Sequence, residues 1–200
     1  MKHVRNIKAS IISITFSVCI WWCMSLGYAQ SVNPALLATS FSEVKTKTAV
    51  PLWAKGQVSV WIFISPECPM CQNYAPTLKA LGETFGQKVQ FIGIIPGTAY
   101  TRKEIENYRE TYSIGFSLVV DSAFKTSNQL KATVTPEVFV INEQGQLAYS
   151  GAVDNWLYDL GKKRKAPTEH FLKDALEAIV VGKKVLKPKT TAKGCLINDF

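Results

Sequence analysis

Cys68 and Cys71 are the residues whose type and spacing most readily do chemistry. A thiolate is a nucleophile toward disulfides, and a second thiol three residues on lies one helical turn away, where it can attack the mixed disulfide formed at the first. The flanking sequence places the pair. Val58 to Ile64 is almost all β-branched or aromatic and carries no charge, the pattern of a strand buried on both faces. After Cys71, Leu78, Leu81 and Phe85 recur at helical spacing around Lys79 and Glu83. The pair therefore sits where a buried strand ends and a helix begins. The unpaired N–H groups and positive dipole end of a first helical turn favour a thiolate. Cys68 is expected to attack and Cys71 to resolve. A static bridge across one turn would constrain almost no chain, so redox exchange is the stronger reading. Pro76 predicts a kink in the helix.

The chain has 200 residues and a formal charge of +8. Residues 1–29 have the form of a secretory signal. Lys2, Arg5 and Lys8 precede an uncharged run from Ala9 to Met24, and Gly27-Tyr28-Ala29 offers a small-residue cleavage site. Residues 9–29 are alternatively long enough to remain as a membrane anchor. Neither Cys19 nor Cys23 follows a small residue, which argues against lipoprotein processing. Cleavage would remove both cysteines and lower the charge to +5 by loss of Lys2, Arg5 and Lys8. That excess makes no case for nucleic acid. Export implies a periplasmic or secreted protein whose thiols meet an oxidising compartment.

Residues 30–57 read as a lead-in that supplies an edge strand or covers one end of the core. Residues 58–182 read as one domain. Val89–Ile95, Ser117–Val120 and Glu137–Ile141 are further strand patterns, and Leu147–Tyr149 is the hairpin partner of the last. Thr101 to Glu104 has capping-box spacing before a helix with Ile105, Tyr108 and Tyr112 on one face. Asp121-Ser122 is expected to cap the next helix. Residues 153–165 read as a polar loop ending in the basic run Lys162 to Lys165, a solvated surface or a docking patch for an acidic partner or anionic lipid. Phe171, Leu172, Ala175, Leu176, Ile179 and Val180 form the stripe of an amphipathic helix that Gly182 ends. Residues 183–200 read as an irregular basic tail carrying Cys195. Three roles stay open for that thiol: inert, intermolecular, or a third redox thiol at the Cys68 site. Strands alternating with helices, then a hairpin, imply an α/β fold with a mixed sheet covered by helices.

Strand, Cys68-Pro69-Met70-Cys71, proline-containing helix and the later Val134-Thr135-Pro136-Glu137 together resemble the thioredoxin fold over roughly residues 50–182. The additional strand and helix between Gly86 and Asp121 resemble its exported redoxin branch. That branch includes TlpA/ResA-type thiol–disulfide oxidoreductases and the AhpC/TSA relatives. The resemblance implies a three-layer fold, a central mixed sheet flanked by helices. It also implies that Pro136 is a cis-proline facing the disulfide, leaving Thr135 beside Cys68 to pair with a substrate chain. The implied activity is disulfide exchange with exported proteins and a redox partner, with no cofactor and no metal.

Departures from the pattern matter. Glu67 stands where thioredoxins have Trp; its charge would raise a neighbouring thiol's pKa, or it could accept a proton locally. Ser65-Pro66-Glu67-Cys68 matches half of the peroxiredoxin signature, but Trp61 occupies the position of its proline, so a thiol peroxidase is an alternative rather than the first reading. Gln72 after Cys71 excludes a haem-attachment motif. A Sco-type module binding Cu(I) through the two thiols is a further alternative; Met70 could assist it, with His170 as the remaining imidazole.

Overall fold

In a computed structural model the fold is described for residues 30–159 and 161–197. The leader expected at residues 1–29 lies outside them. The elements in chain order are β1 (Gln30–Ser31), α1 (Pro34–Leu37), β2 (Ser40–Ser42), β3 (Ala49–Pro51), β4 (Val58–Phe63), α2 (Pro69–Phe85), β5 (Val89–Pro96), α3 (Arg102–Thr111) and β6 (Ser117–Asp121). They continue as α4 (Lys125–Leu130), β7 (Val134–Thr135), β8 (Glu137–Ile141), β9 (Gln146–Gly151), β10 (Leu157–Asp159), β11 (Lys162–Lys163), α5 (Phe171–Val180) and β12 (Cys195–Leu196).

The central sheet has the order β1-β9-β8-β4-β5-β6. β4 pairs in parallel with β5, and β5 with β6, while β8 and β9 run antiparallel. Every residue of β4 is buried, as its uncharged run requires for a central strand covered on both faces. Alternate side chains feed two cores. Val58, Val60 and Ile62 join Leu78 of α2, Ile105 of α3 and Leu172 of α5 on one face. Trp61 and Phe63 join Leu36, Val50 and Leu52 of the lead-in on the other. The result is a thioredoxin-like three-layer α/β fold.

The lead-in is therefore a layer of the core. Leu52 O accepts hydrogen bonds from Trp61 Nε1 and Ser59 Oγ, both at 2.7 Å, so the polar atoms of the buried strand are satisfied from this segment. Glu43, buried, pairs with Arg109 of α3 and accepts from Thr46 N and Leu118 N. Burial works against its charge, but those donors and the Arg109 guanidinium outweigh it and hold the carboxyl below its ordinary value.

α2 is one helix from Pro69 to Phe85 with Pro76 inside it. Several other local expectations resolve differently. Asp121 does supply the start of α4, accepting from Thr126 N and Ser127 N at 2.9 and 3.0 Å, but from before the cap position, which Phe124 occupies. The expected loop at 153–165 contains the small β10–β11 hairpin. Lys163 lies over the Trp156 ring and Arg164 over Tyr158, so aromatic faces seat part of the basic run. The tail is ordered against the domain. Val185 is buried, Ser150 N donates to Pro188 O, and Thr190 N donates to Ser150 O. Thr190 Oγ1 also accepts from Ala152 N at 2.9 Å.

Candidate active site

Cys68 is the N-cap residue of α2 and Pro69 opens the helix, where a missing N–H costs nothing. The turn before it is closed by Cys68 N donating to Ser65 O, and Gln72 Nε2 donates back to Pro66 O at 2.9 Å. The cysteine thus faces out of the helix end, toward the positive pole of the dipole. Cys71, one turn on, is a free thiol and fully buried. Burial pushes it up to about 12, against the opposing effects of Ser65 N–H and the Thr135 hydroxyl. Ser65 N donates to Cys71 Sγ at 3.5 Å, and Thr135 Oγ1, also buried, makes no ordinary hydrogen bond of its own. Tyr108 OH reaches Cys71 O at 3.4 Å and is itself held neutral by burial.

Facing the helix end is the segment between β7 and β8. The Thr135–Pro136 peptide is cis, and Thr135 O lies 3.2 Å from Cys68 Sγ. Glu137 fixes this segment by accepting from Thr133 N at 2.9 Å. Burial raises the Glu137 carboxyl, offset in part by the Thr133 and Val134 N–H groups and by Lys189. Cys68 is not bonded to Cys71. It forms a disulfide with Cys195, with the Cα atoms 6.0 Å apart, and β12 pairs antiparallel with β7. A cavity of about 370 Å³ opens alongside, lined by residues that include Ser65, Tyr100, Phe124, Thr135 and Ile197.

The structure thus brings together Cys68, Cys71, Thr135, Pro136 and Cys195. Glu67 is exposed on the loop before α2. His170 is the N-cap residue of α5 and lines a separate cavity with Pro76, Leu81 and Val153. Among the described residues no group of three or more His, Cys, Asp or Glu side chains could hold a metal ion. Sequence reasoning missed the seating of the tail and the Ser65–Tyr100 hydroxyl pair at 2.6 Å. A signal for the tail existed in Gly194 beside Cys195, since glycine permits close backbone approach.

Residues 34–150 match the model of the AhpC/TSA family. Among solved structures, an uncharacterized conserved protein from Geobacillus kaustophilus superposes with TM-score 0.72 at 18% identity, over 87% of this chain and 94% of its own. A hypothetical protein from Sinorhizobium meliloti gives 0.68 at 20%, over 80% and 89%. A secreted Mycobacterium tuberculosis disulfide oxidoreductase homologous to E. coli DsbE gives 0.54 at 16%, over 73% and 99%. None of the curated proteins matches the sequence.

Proposed function

Since the chain belongs to the AhpC/TSA family, we propose that it is an exported thiol–disulfide oxidoreductase that exchanges disulfides with protein substrates through Cys68 and Cys71. One observation carries this reading: a helix-capping cysteine lies 3.2 Å from the carbonyl of the residue before a cis-proline, with a buried free thiol one turn behind it. In the reducing direction the Cys68 thiolate attacks a partner disulfide, and one partner sulfur leaves as a thiolate. Cys71 then attacks Cys68 Sγ, forming Cys68–Cys71 and releasing the second partner thiol. The reverse sequence donates a disulfide. Thr135 positions the partner chain by strand pairing with β7, the short strand beside the nucleophile. The secreted M. tuberculosis oxidoreductase of similar fold supports the reaction class and the compartment. The leader-like residues 1–29 support export.

Insulin reduction with dithiothreitol as electron source tests the reading. The Cys195→Ser chain should turn over, Cys68→Ser should not, and Cys71→Ser with Cys195→Ser should accumulate a mixed disulfide with an insulin chain. No reduction and no mixed disulfide would reject it. The Cys68–Cys195 bond favours a second reading, thiol peroxidase. There Cys68 attacks peroxide to give a sulfenic acid, and Cys195 condenses with it, releasing water. That reading predicts peroxide consumption undiminished by Cys71→Ser; loss of activity in that variant would contradict it.

A further inference from the structure

The tail reaches the site by a fixed path. Thr190 lies against Gly151, where an added Cβ would fall 2.3 Å from Thr190 O. Seven residues before Cys195, Pro188 O accepts from Ser150 N at 3.0 Å. At the end of the path Cys195 is registered opposite Thr135 and Leu196 opposite Val134, and Ile197 N donates to Thr133 O at 2.9 Å. This is the edge that the proposed function assigns to a partner chain. Gly194 is closely fitted to it. A Cβ there would sit 2.1 Å from Thr135 O and 2.6 Å from Thr135 C, so any side chain would push the strand off. Cys71 meanwhile lies free under the same helix end.

We propose that Cys195 is a third redox thiol and that residues 194–197 are a built-in substrate strand, so that the Cys68–Cys195 bond is the internal counterpart of the mixed disulfide with a partner and Cys71 resolves both. The inference rests on the oxidoreductase reading above. Cys71 attacks Cys68 Sγ as the thiolate, and the proton it has lost is balanced by the one Cys195 takes up. The Cys71–Cys68 bond forms as the Cys68–Cys195 bond breaks, and Cys195 leaves as a thiolate that takes up a proton. One disulfide is present before and after, so no outside oxidant or reductant is consumed. The two oxidised isomers differ in access: the tail fills the edge in one and frees it for a partner in the other. The fit also defines the peptide the edge takes best, an extended strand with glycine immediately before its cysteine.

The test is disulfide mapping of the full chain, equilibrated in glutathione buffers, acid-quenched, alkylated and digested. The wild type should contain both Cys68–Cys195 and Cys68–Cys71, interconverting after reductant is removed. Gly194→Val should shift their ratio toward Cys68–Cys71 by about tenfold or more, the scale of an overpacked contact. Cys71→Ser should hold Cys68–Cys195. A far-UV circular dichroism spectrum and a cooperative thermal transition like those of the wild type report that the Gly194→Val domain is folded. If Cys195 stays open to alkylation in every buffer while Cys68–Cys71 forms reversibly, the inference falls and the oxidoreductase reading stands. A Cys68–Cys195 bond that never passes to Cys71, or a ratio unmoved by Gly194→Val, also overturns it. If no pair forms reversibly, the oxidoreductase reading itself falls.

Discussion

The two thiols of the motif live in opposite environments. Cys68 caps a helix and faces a polypeptide edge; Cys71 is sealed under it with its thiol pushed up to about 12. At neutral pH Cys71 is held protonated, so its attack on Cys68 is limited by the thiolate fraction. That fraction rises tenfold per pH unit well below the pKa. The rate at which Cys71 displaces Cys195 or a partner from Cys68 should therefore rise about tenfold per unit between pH 6 and 9, read by quenched-flow alkylation. Tyr108, the phenol whose OH reaches the Cys71 carbonyl, stays neutral over this range and should not bend the profile. A flat profile would mean that Cys71 is not the attacking group. The same burial has a stability consequence. The folded thiol lies above its ordinary value of 9.0, so the stabilisation is complete below pH 9 and is lost as pH rises toward 12. Denaturant midpoints should fall over that window and less so in Cys71→Ala.

At the scale of elements, the lead-in is what the site's strand leans on. Trp61 and Ser59 find their hydrogen-bond acceptor in Leu52 O, and Glu43 ties the hairpin of β2 and β3 to α3 and β6. Glu43→Ala leaves the largely buried Arg109 without its carboxylate and should cost about 3 kcal/mol in urea unfolding. Because the Glu43 carboxyl is held below its ordinary 4.5, its contribution is present above that value and lost as pH falls below it. The acid limb of stability should flatten in Glu43→Gln. These ties were not legible in the sequence. Residues 30–57 lack a long periodic run, and an isolated glutamate gives no sign of its partner 66 residues on. The runs that were legible are those whose own pattern decides them. Val58 to Phe63 is apolar on both faces, and the Thr101–Glu104 box makes both of its reciprocal bonds. The tail is irregular up to β12, as its sequence suggests, but its seating was not legible because it depends on Gly194 meeting Thr135, a contact between residues far apart in sequence.

Across the whole molecule, the Cys68–Cys195 bond closes a loop with a sequence separation of 127. On the chain-entropy account such a crosslink stabilises the fold by up to about 5 kcal/mol, whereas Cys68–Cys71 closes almost nothing. Oxidised Cys71→Ser, which holds Cys68–Cys195, should resist urea more than oxidised Cys195→Ser by a substantial part of that amount. Equal midpoints would indicate that the tail bond does not form in solution. The tail also meets the domain away from the bond, through buried Val185 and Thr190 Oγ1. Removing residues 183–200 should therefore destabilise even the fully reduced protein, by roughly 1–3 kcal/mol, read by thermal unfolding.

The most direct measurement of the central claim is a redox titration of the Cys195→Ser chain in glutathione buffers, with alkylated Cys68 and Cys71 counted by mass. The account predicts that the two thiols disappear together in one reversible two-electron step, with the bond mapped to Cys68–Cys71. Independent loss of the two thiols, or no bond between them at any ratio of oxidised to reduced glutathione, would contradict it.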